Sequence, residues 1–260
     1  MTAILVKLGQ AWAVAGSLQL VLWLIQQRTK NAGIVDVGWA ASFSLVIALF
    51  AILTPAEPAG WFPIFLLVAA WSLRLTAYLI SRGAAKSPEE GRYVALRTKW
   101  APHASRNFFV FFQAQAALTA LLSLAFVVPF LAPVEHPWLV WLGAAISAIG
   151  ILGESTADAQ LARFKRTHKG KVCDVGLWSW SRHPNYFFEW CVWIGYAVYG
   201  LAFGAWGLIA IAPQAIILGS IFGITGIPPT EKQSLRSKGD AYRDYQKCVS
   251  RFVPMPPKRS

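Results

Sequence analysis

Charge is scarce in this chain: Asp, Glu, Lys and Arg make up 14% of its 260 residues, about half the share in an ordinary soluble domain. A chain so poor in charge cannot solvate its whole surface in water, which argues against a plain soluble globule. Acid is scarcer still, with 12 Asp and Glu against 24 Lys and Arg, a formal net charge of +12. Cysteine is limited to Cys173, Cys191 and Cys248, with no CxxC spacing. That argues against a disulfide framework or a zinc site, so no metal is expected. There is no GxGxxG, so no Rossmann domain is expected. No internal repeat and no pair of Gly/Pro-broken stretches recurs in matching halves, which argues against a transporter.

What is abundant is apolar sequence, 56% of the chain, with 13 Trp and 16 Phe. Aromatic enrichment of this kind fits membrane interfaces, although some of the rings belong to a core. Roughly 20 apolar residues cross a bilayer core as a helix, and the sequence divides into seven such stretches. They run from Ala3 to Ile25, Ile34 to Leu53, Trp61 to Ile80, Phe108 to Leu131, Trp138 to Leu161, Phe187 to Leu201, and Phe203 to Thr225. The first is too long for a signal-peptide core and lacks a small-residue cleavage site, so it is expected to remain as a span. Gly200, Gly204 and Gly207 mark only a weak break between the last two, which together are too long for one crossing. The expectation is an all-α polytopic membrane protein.

The basic residues fix the expected orientation. Of the 24 Lys and Arg, 22 fall after stretches one, three, five and seven, while the alternate loops around Thr54–Gly60, Ala132–Pro137 and Gly200 hold none. By the positive-inside rule the N-terminus is expected outside and the tail in the cytoplasm. This distribution accounts for most of the +12 charge without nucleic acid as a partner.

Ionisable groups inside spans are functional candidates because they cost several kcal/mol when unpaired. Asp36 stands near the cytoplasmic start of the second stretch, where an acid also suits the helix dipole. Arg74 lies inside the third, too deep to snorkel easily, and Asp36 is a candidate partner for it. Gln113 and Gln115 can bond a neighbouring helix for structural reasons alone. Glu154 and Asp158 are i and i+4 on one helix face ahead of a basic run, so they can pair with loop arginines or accept from hydroxyls of a ligand.

The densest polar segment is Gly176-Leu177-Trp178-Ser179-Trp180-Ser181-Arg182-His183-Pro184-Asn185-Tyr186-Phe187-Phe188-Glu189. Pro184 suits a helix first turn, which places Asn185 and Glu189 on one face. The free N–H groups of that helix start, with Arg182 and His183 beside them, suit an anion such as phosphate. On the bland reading Arg182 and His183 are interfacial anchors before an ordinary helix start.

Arg182-His183-Pro184-Asn185-Tyr186, with Gly176-Leu177-Trp178 before it and Glu189 after it, resembles the membrane-bound steroid 5-alpha-reductase family and its bacterial relatives. The tail segments Glu231-Lys232-Gln233, Asp240-Ala241-Tyr242-Arg243-Asp244-Tyr245 and Phe252-Val253-Pro254 are similar to that family's C-terminal pattern. The resemblance covers roughly the last 110 residues. The N-terminal half matches loosely, through Asp36-Val37-Gly38-Trp39, Trp71-Ser72-Leu73-Arg74-Leu75 and Arg92-Tyr93. The Arg-His-Pro core also occurs in membrane methyltransferases of the isoprenylcysteine carboxyl methyltransferase type and in sterol reductases.

The resemblance implies a seven-helix enzyme that holds NADPH on its cytoplasmic side and reduces the C4–C5 double bond of a 3-oxo-4-ene steroid or similar flat lipid enone. It implies cofactor contacts at Asp158, Asn185 and Glu189, and less securely at Glu231 and Tyr242, with Arg74, His183 and Tyr186 also in that set. Arg163, Lys165, Arg166 and Arg182 are candidates for the phosphates, which Arg grips through paired donors. Asp36 stands where the family has a glutamate, and Tyr78, one turn from Arg74, is the expected tyrosine partner. Trp39 and Gln113 are expected substrate contacts. Residues 1–106 form the expected substrate side and 107–260 the cofactor side of one domain. A monomer is expected, with membrane lipid around it. The competing expectation is a methyltransferase using S-adenosylmethionine.

Overall fold

The computed structural model describes residues 1–54, 58–86, 88–223 and 225–258. Among them every regular element is helical. The helices are α1 (Thr2–Thr29), α2 (Ile34–Ile52), α3 (Pro58–Ser81), α4 (Gly91–Lys99), α5 (Ala104–Leu122), α6 (Pro137–Thr167), α7 (Pro184–Leu201), α8 (Ile211–Gly223), α9 (Ile227–Lys238) and α10 (Asp240–Cys248). In a bilayer the backbone must satisfy its own hydrogen bonds, and a helix does so within one segment.

Six helical stretches among the described residues are long and apolar enough to cross a membrane: Thr2–Thr29, Ile34–Ile52, Ala59–Ser81, Ala104–Ala125, Pro137–Thr167 and Gly204–Lys238. The protein is thus a polytopic helical membrane protein. The sequence predicts seven crossings. The sixth of these is α7, whose Asn185, Glu189 and three tyrosines dilute its apolar character. Phe108–Leu131, read as one span, is α5 followed by two short 3-10 turns at Ser123–Ala125 and Val128–Phe130, the second holding Pro129, which has no N–H to give a helical ladder.

The chain divides into two compact units, Met1–Pro137 with Gly200–Ala210, and Trp138–Tyr199 with Ile211–Ser260. In the first, α1 packs against both α5 and α2, and α2 packs against α3. Gly38 permits the α1–α2 approach, since a Cβ there would run into Leu22 and sit 3.1 Å from the Gln19 amide nitrogen. Trp39, Phe43, Trp71 and Phe126 form an edge-to-face aromatic layer in this unit. Lys7 donates to Thr54 Oγ1 at 2.6 Å at the end remote from the basic loops. In this unit α5 lies with α1 and α2.

In the second unit α6 and α7 meet through small residues. A Cβ on Gly143 would lie 2.5 Å from the Tyr199 amide nitrogen, and one on Gly150 would lie 2.7 Å from that of Val192. Gly195 faces Ser147, whose hydroxyl donates to the Val192 carbonyl at 3.2 Å. Membrane helices gain their contact from such close backbone packing, because lipid tails remove most of the hydrophobic drive between helices.

Candidate functional site

Two polar clusters stand out, one in each unit. In the first unit the turn after α1 and the segment leading into α4 are stitched together. Asn31 donates to the Lys86 carbonyl at 2.7 Å and accepts from the Gly33 amide at 2.9 Å. Glu89 accepts from the Ala32 amide at 2.7 Å and from Arg97 at 2.7 and 3.0 Å. Burial alone would raise the Glu89 carboxyl, but the bonds from Arg97 and Ala32, with the charge of Arg97, bring it below its ordinary value. The result is to seat α4 over the start of α2.

That seating brings Tyr93 and Arg92 to Asp36. The Tyr93 hydroxyl donates to Asp36 Oδ1 at 2.8 Å, and Arg92 forms an ion pair with Asp36 Oδ2. Tyr93 is almost fully buried against Phe108, Phe112, Ala32 and Val35. Burial first, and the neighbouring Asp36 charge second, push its hydroxyl well above the usual tyrosine range, so it remains a neutral donor. The tyrosine hydroxyl described on Asp36 is that of Tyr93, while the ring of Tyr78, the partner the sequence offers, lies under the Arg82 guanidinium at 5.5 Å. The described bonds to Asp36 come from Arg92 and Tyr93, where the sequence offers Arg74 as a partner. Gln113 donates to the Gly16 carbonyl at 3.3 Å, a helix-to-helix bond between α5 and α1.

In the second unit the segment before α7 is held from several directions. Gln160 of α6 accepts from the Leu177 amide at 2.9 Å, and the Trp178 indole donates to the Ala157 carbonyl at 2.9 Å. The Tyr245 hydroxyl of α10 donates to the Trp178 carbonyl. Burial first pushes Tyr245 well above the usual tyrosine range and Tyr242 up to about 12. Ser181, fully buried, donates to the Phe252 carbonyl at 2.7 Å and accepts from the His183 amide at 3.1 Å. The tail from Val249 onward thus straps the turn from which α7 starts, with the Arg182 amide donating to the Ser250 carbonyl at 2.8 Å.

Arg182 is committed inside this network. Its Nε donates to Glu231 of α9 at 2.8 Å, and its Nη1 donates to the Gln246 and Val249 carbonyls, each at 2.9 Å. Its side chain is 10% exposed, so it serves first as the tie between α7, α9 and the tail. His183 lies 3.3 Å from the same Glu231 oxygen. Burial lowers the His183 imidazole below its ordinary value and Glu231 offsets this only in part, so the ring is neutral near pH 7 and donates from Nε2. Tyr186 stacks on His183 and its hydroxyl meets Thr230 Oγ1 at 3.1 Å.

Asn185 and Asp158 approach to 3.5 Å, the outer limit of a hydrogen bond. Asp158 and Glu154 are buried on α6, and Arg163, Lys165 and Arg166 follow on its last exposed turns. Glu189 accepts from the Trp193 indole at 2.8 Å. The second unit therefore gathers Asp158, Asn185, Tyr186, Glu189, Arg182, His183, Glu231 and Tyr242, which sequence reading selects from three separate segments. Sequence reading gives no role to Gln160, Thr230, Tyr245, Gln246 or Glu89. No short spacing links them to their partners, and only the tail's tyrosine-rich pattern points toward Tyr245.

The family model described as a protein of unknown function, DUF1295, matches residues 22–249. An uncharacterized protein of Schizosaccharomyces pombe is 26% identical over 271 residues, covering 90% of this chain and 76% of that protein. No solved structure matches.

Proposed function

The chain belongs to the DUF1295 family, and on that footing we propose that it is an NADPH-dependent reductase of a carbon–carbon double bond conjugated to a ketone in a flat lipid, of the 3-oxo-4-ene steroid class. The family includes steroid 5-alpha-reductase-like proteins, which supports the reading. The observation that carries it is the meeting, in the second unit, of Asp158 with Asn185 and of Arg182 and His183 with Glu231. In the proposed topology α7 crosses as a seventh span, with the N-terminus outside and the basic loops in the cytoplasm.

The side chains of this unit fit a dinucleotide. Buried Asp158 and half-buried Asn185 and Glu189 offer acceptor oxygens to hydroxyl and amide hydrogens, and exposed Arg163, Lys165 and Arg166 offer cations to phosphates. Arg182 does not fit a phosphate-gripping role, because two of its nitrogens are spent on Glu231 and the tail. When bound, NADPH supplies a hydride to the β-carbon of the enone. Negative charge then develops on the ketone oxygen, and a neutral donor aimed at that oxygen lowers the barrier. Within the first unit Tyr93 is a neutral donor of this kind. Asp36 orients its hydroxyl while Arg92 balances the aspartate, so the proton can turn to a ketone oxygen without leaving a bare buried charge. The α-carbon takes its proton from solvent.

The test is thermal unfolding of the detergent-purified chain with NADPH, NADH or S-adenosylmethionine, since a ligand that binds only the folded state raises its apparent stability. NADPH is expected to raise the midpoint most. Stabilisation by S-adenosylmethionine alone would favour a lipid or prenyl-protein methyltransferase and end the reductase reading.

A further inference from the structure

Several tryptophans place their indole N–H groups on acceptors. Trp23 donates to the Ser105 carbonyl at 3.1 Å, Trp178 to the Ala157 carbonyl at 2.9 Å, Trp190 to Gln214 at 2.8 Å and Trp193 to Glu189 at 2.8 Å. Trp39 breaks the pattern. Its Nε1 is buried, and among the described residues it meets no hydrogen-bond acceptor. Buried polar groups are otherwise almost always paired, and a lone N–H in an apolar layer marks a place where something else can accept.

The position of Trp39 says what that something is. Asp36, Trp39 and Phe43 are i, i+3 and i+7 on α2, so they share one face. The Trp39 ring packs edge-on against Phe43 at 5.1 Å and Trp71 at 6.3 Å. One turn toward the basic end, about 4.5 Å along the axis, stands Asp36 with the Tyr93 hydroxyl upon it. The Asp36 side chain is 25% exposed and the Trp39 ring is not fully buried, so this face can be reached. A hydrocarbon would leave the indole N–H unanswered, and a charged head group would find no counterion among Phe43 and Trp71.

We infer that Trp39 Nε1–H donates to an oxygen of a flat, uncharged lipid lying along this face of α2, with its apolar body on Phe43 and Trp71 and its polar end toward Asp36 and Tyr93. Trp39 is thus a specificity residue that selects oxygenated lipids over hydrocarbons of the same shape. The choice of a ketone as the oxygen rests on the reductase reading.

Equilibrium binding of radiolabelled progesterone and of pregnane, its ketone-free skeleton, to the full detergent-purified chain tests the inference. Transfer from water favours the hydrocarbon, so tighter binding of progesterone by wild type requires a polar partner. Trp39→Phe is expected to weaken progesterone binding about tenfold, as loss of one hydrogen bond does, and to leave pregnane binding unchanged. Trp39→His, which restores an N–H on a smaller ring, is expected to recover part of that loss and serves as the second variant if Trp39→Phe does not fold. Equal weakening for both ligands, unchanged progesterone affinity, or wild-type protein that binds neither ligand would overturn the inference. If binding follows Trp39 but NADPH never reduces progesterone, the reductase reading falls and this site stands. If progesterone is reduced while Trp39→Phe leaves its binding and KM unchanged, this site falls and the reductase reading stands.

Discussion

Asp36 and Tyr93 show what a single buried contact can decide. Asp36 lies at the start of α2 with Arg92 on one oxygen and the Tyr93 hydroxyl on the other. A carboxylate balanced in this way is a poor hydrogen-bond donor, so the donor role passes to the tyrosine. Tyr93→Phe and Asp36→Asn are each expected to lower turnover of a steroid enone by about a hundredfold, the scale of removing one such donor. NADPH affinity should change little. Tyr78→Phe is expected to keep near wild-type turnover, because the hydroxyl bonded to Asp36 is that of Tyr93, while the Tyr78 ring packs under Arg82. Steady-state kinetics on the three variants check this; a hundredfold loss in Tyr78→Phe with none in Tyr93→Phe would reverse the assignment. Asp36 was readable in the sequence because a charge within an apolar run stands out. Its partner was not, since Tyr93 lies 57 positions away in sequence on a short helix that carries too few apolar residues to announce itself.

At the scale of elements, the long apolar helices were legible and the short polar ones were not. Hydropathy marks α1, α2, α3, α5 and α6 because each must match the bilayer thickness. By contrast α4, α9 and α10 owe their places to side-chain ties such as Glu89 with Arg97 and Glu231 with Arg182, which no periodicity reveals. Two expectations follow. Gly195→Val is expected to destabilise the protein by about 1–3 kcal/mol, the usual cost of overpacking, because any Cβ there meets Ser147. Gly219→Val, with nothing within 4 Å, is the control in the same thermal unfolding assay. The second concerns acid. Folding holds Glu89 below its ordinary value of 4.5, so its contribution is fully present above about that pH and is lost as pH falls through the lower folded-state value. Protection of the α4 amides, taken as exchange relative to the intrinsic rate at each pH, should therefore fall below about pH 4.5, and Glu89→Gln should show low protection at every pH. Wild-type protection at α4 that ignores pH would refute the clamp.

For the whole molecule, the distribution of lysine and arginine was the most legible property. The basic residues that argue for an orientation also follow Asp158 and precede α7 in the sequence, so charge alone cannot separate topology from ligand binding. Arg182 illustrates the overlap: it sits in a basic loop, yet its donors close a protein network instead of facing a phosphate. An exposed probe at Pro133→Cys is expected to react with a membrane-impermeant thiol reagent from outside intact cells, and Cys248 only after permeabilisation; the reverse pattern would invert the proposed topology. The central claim is hydride transfer to a lipid enone, and isotope tracing tests it most directly. Purified protein given progesterone and NADPH deuterated on the transferable face is expected to yield the saturated ketone with deuterium on the former β-carbon. Unchanged progesterone from protein that NADPH measurably stabilises, or product without deuterium, would contradict it.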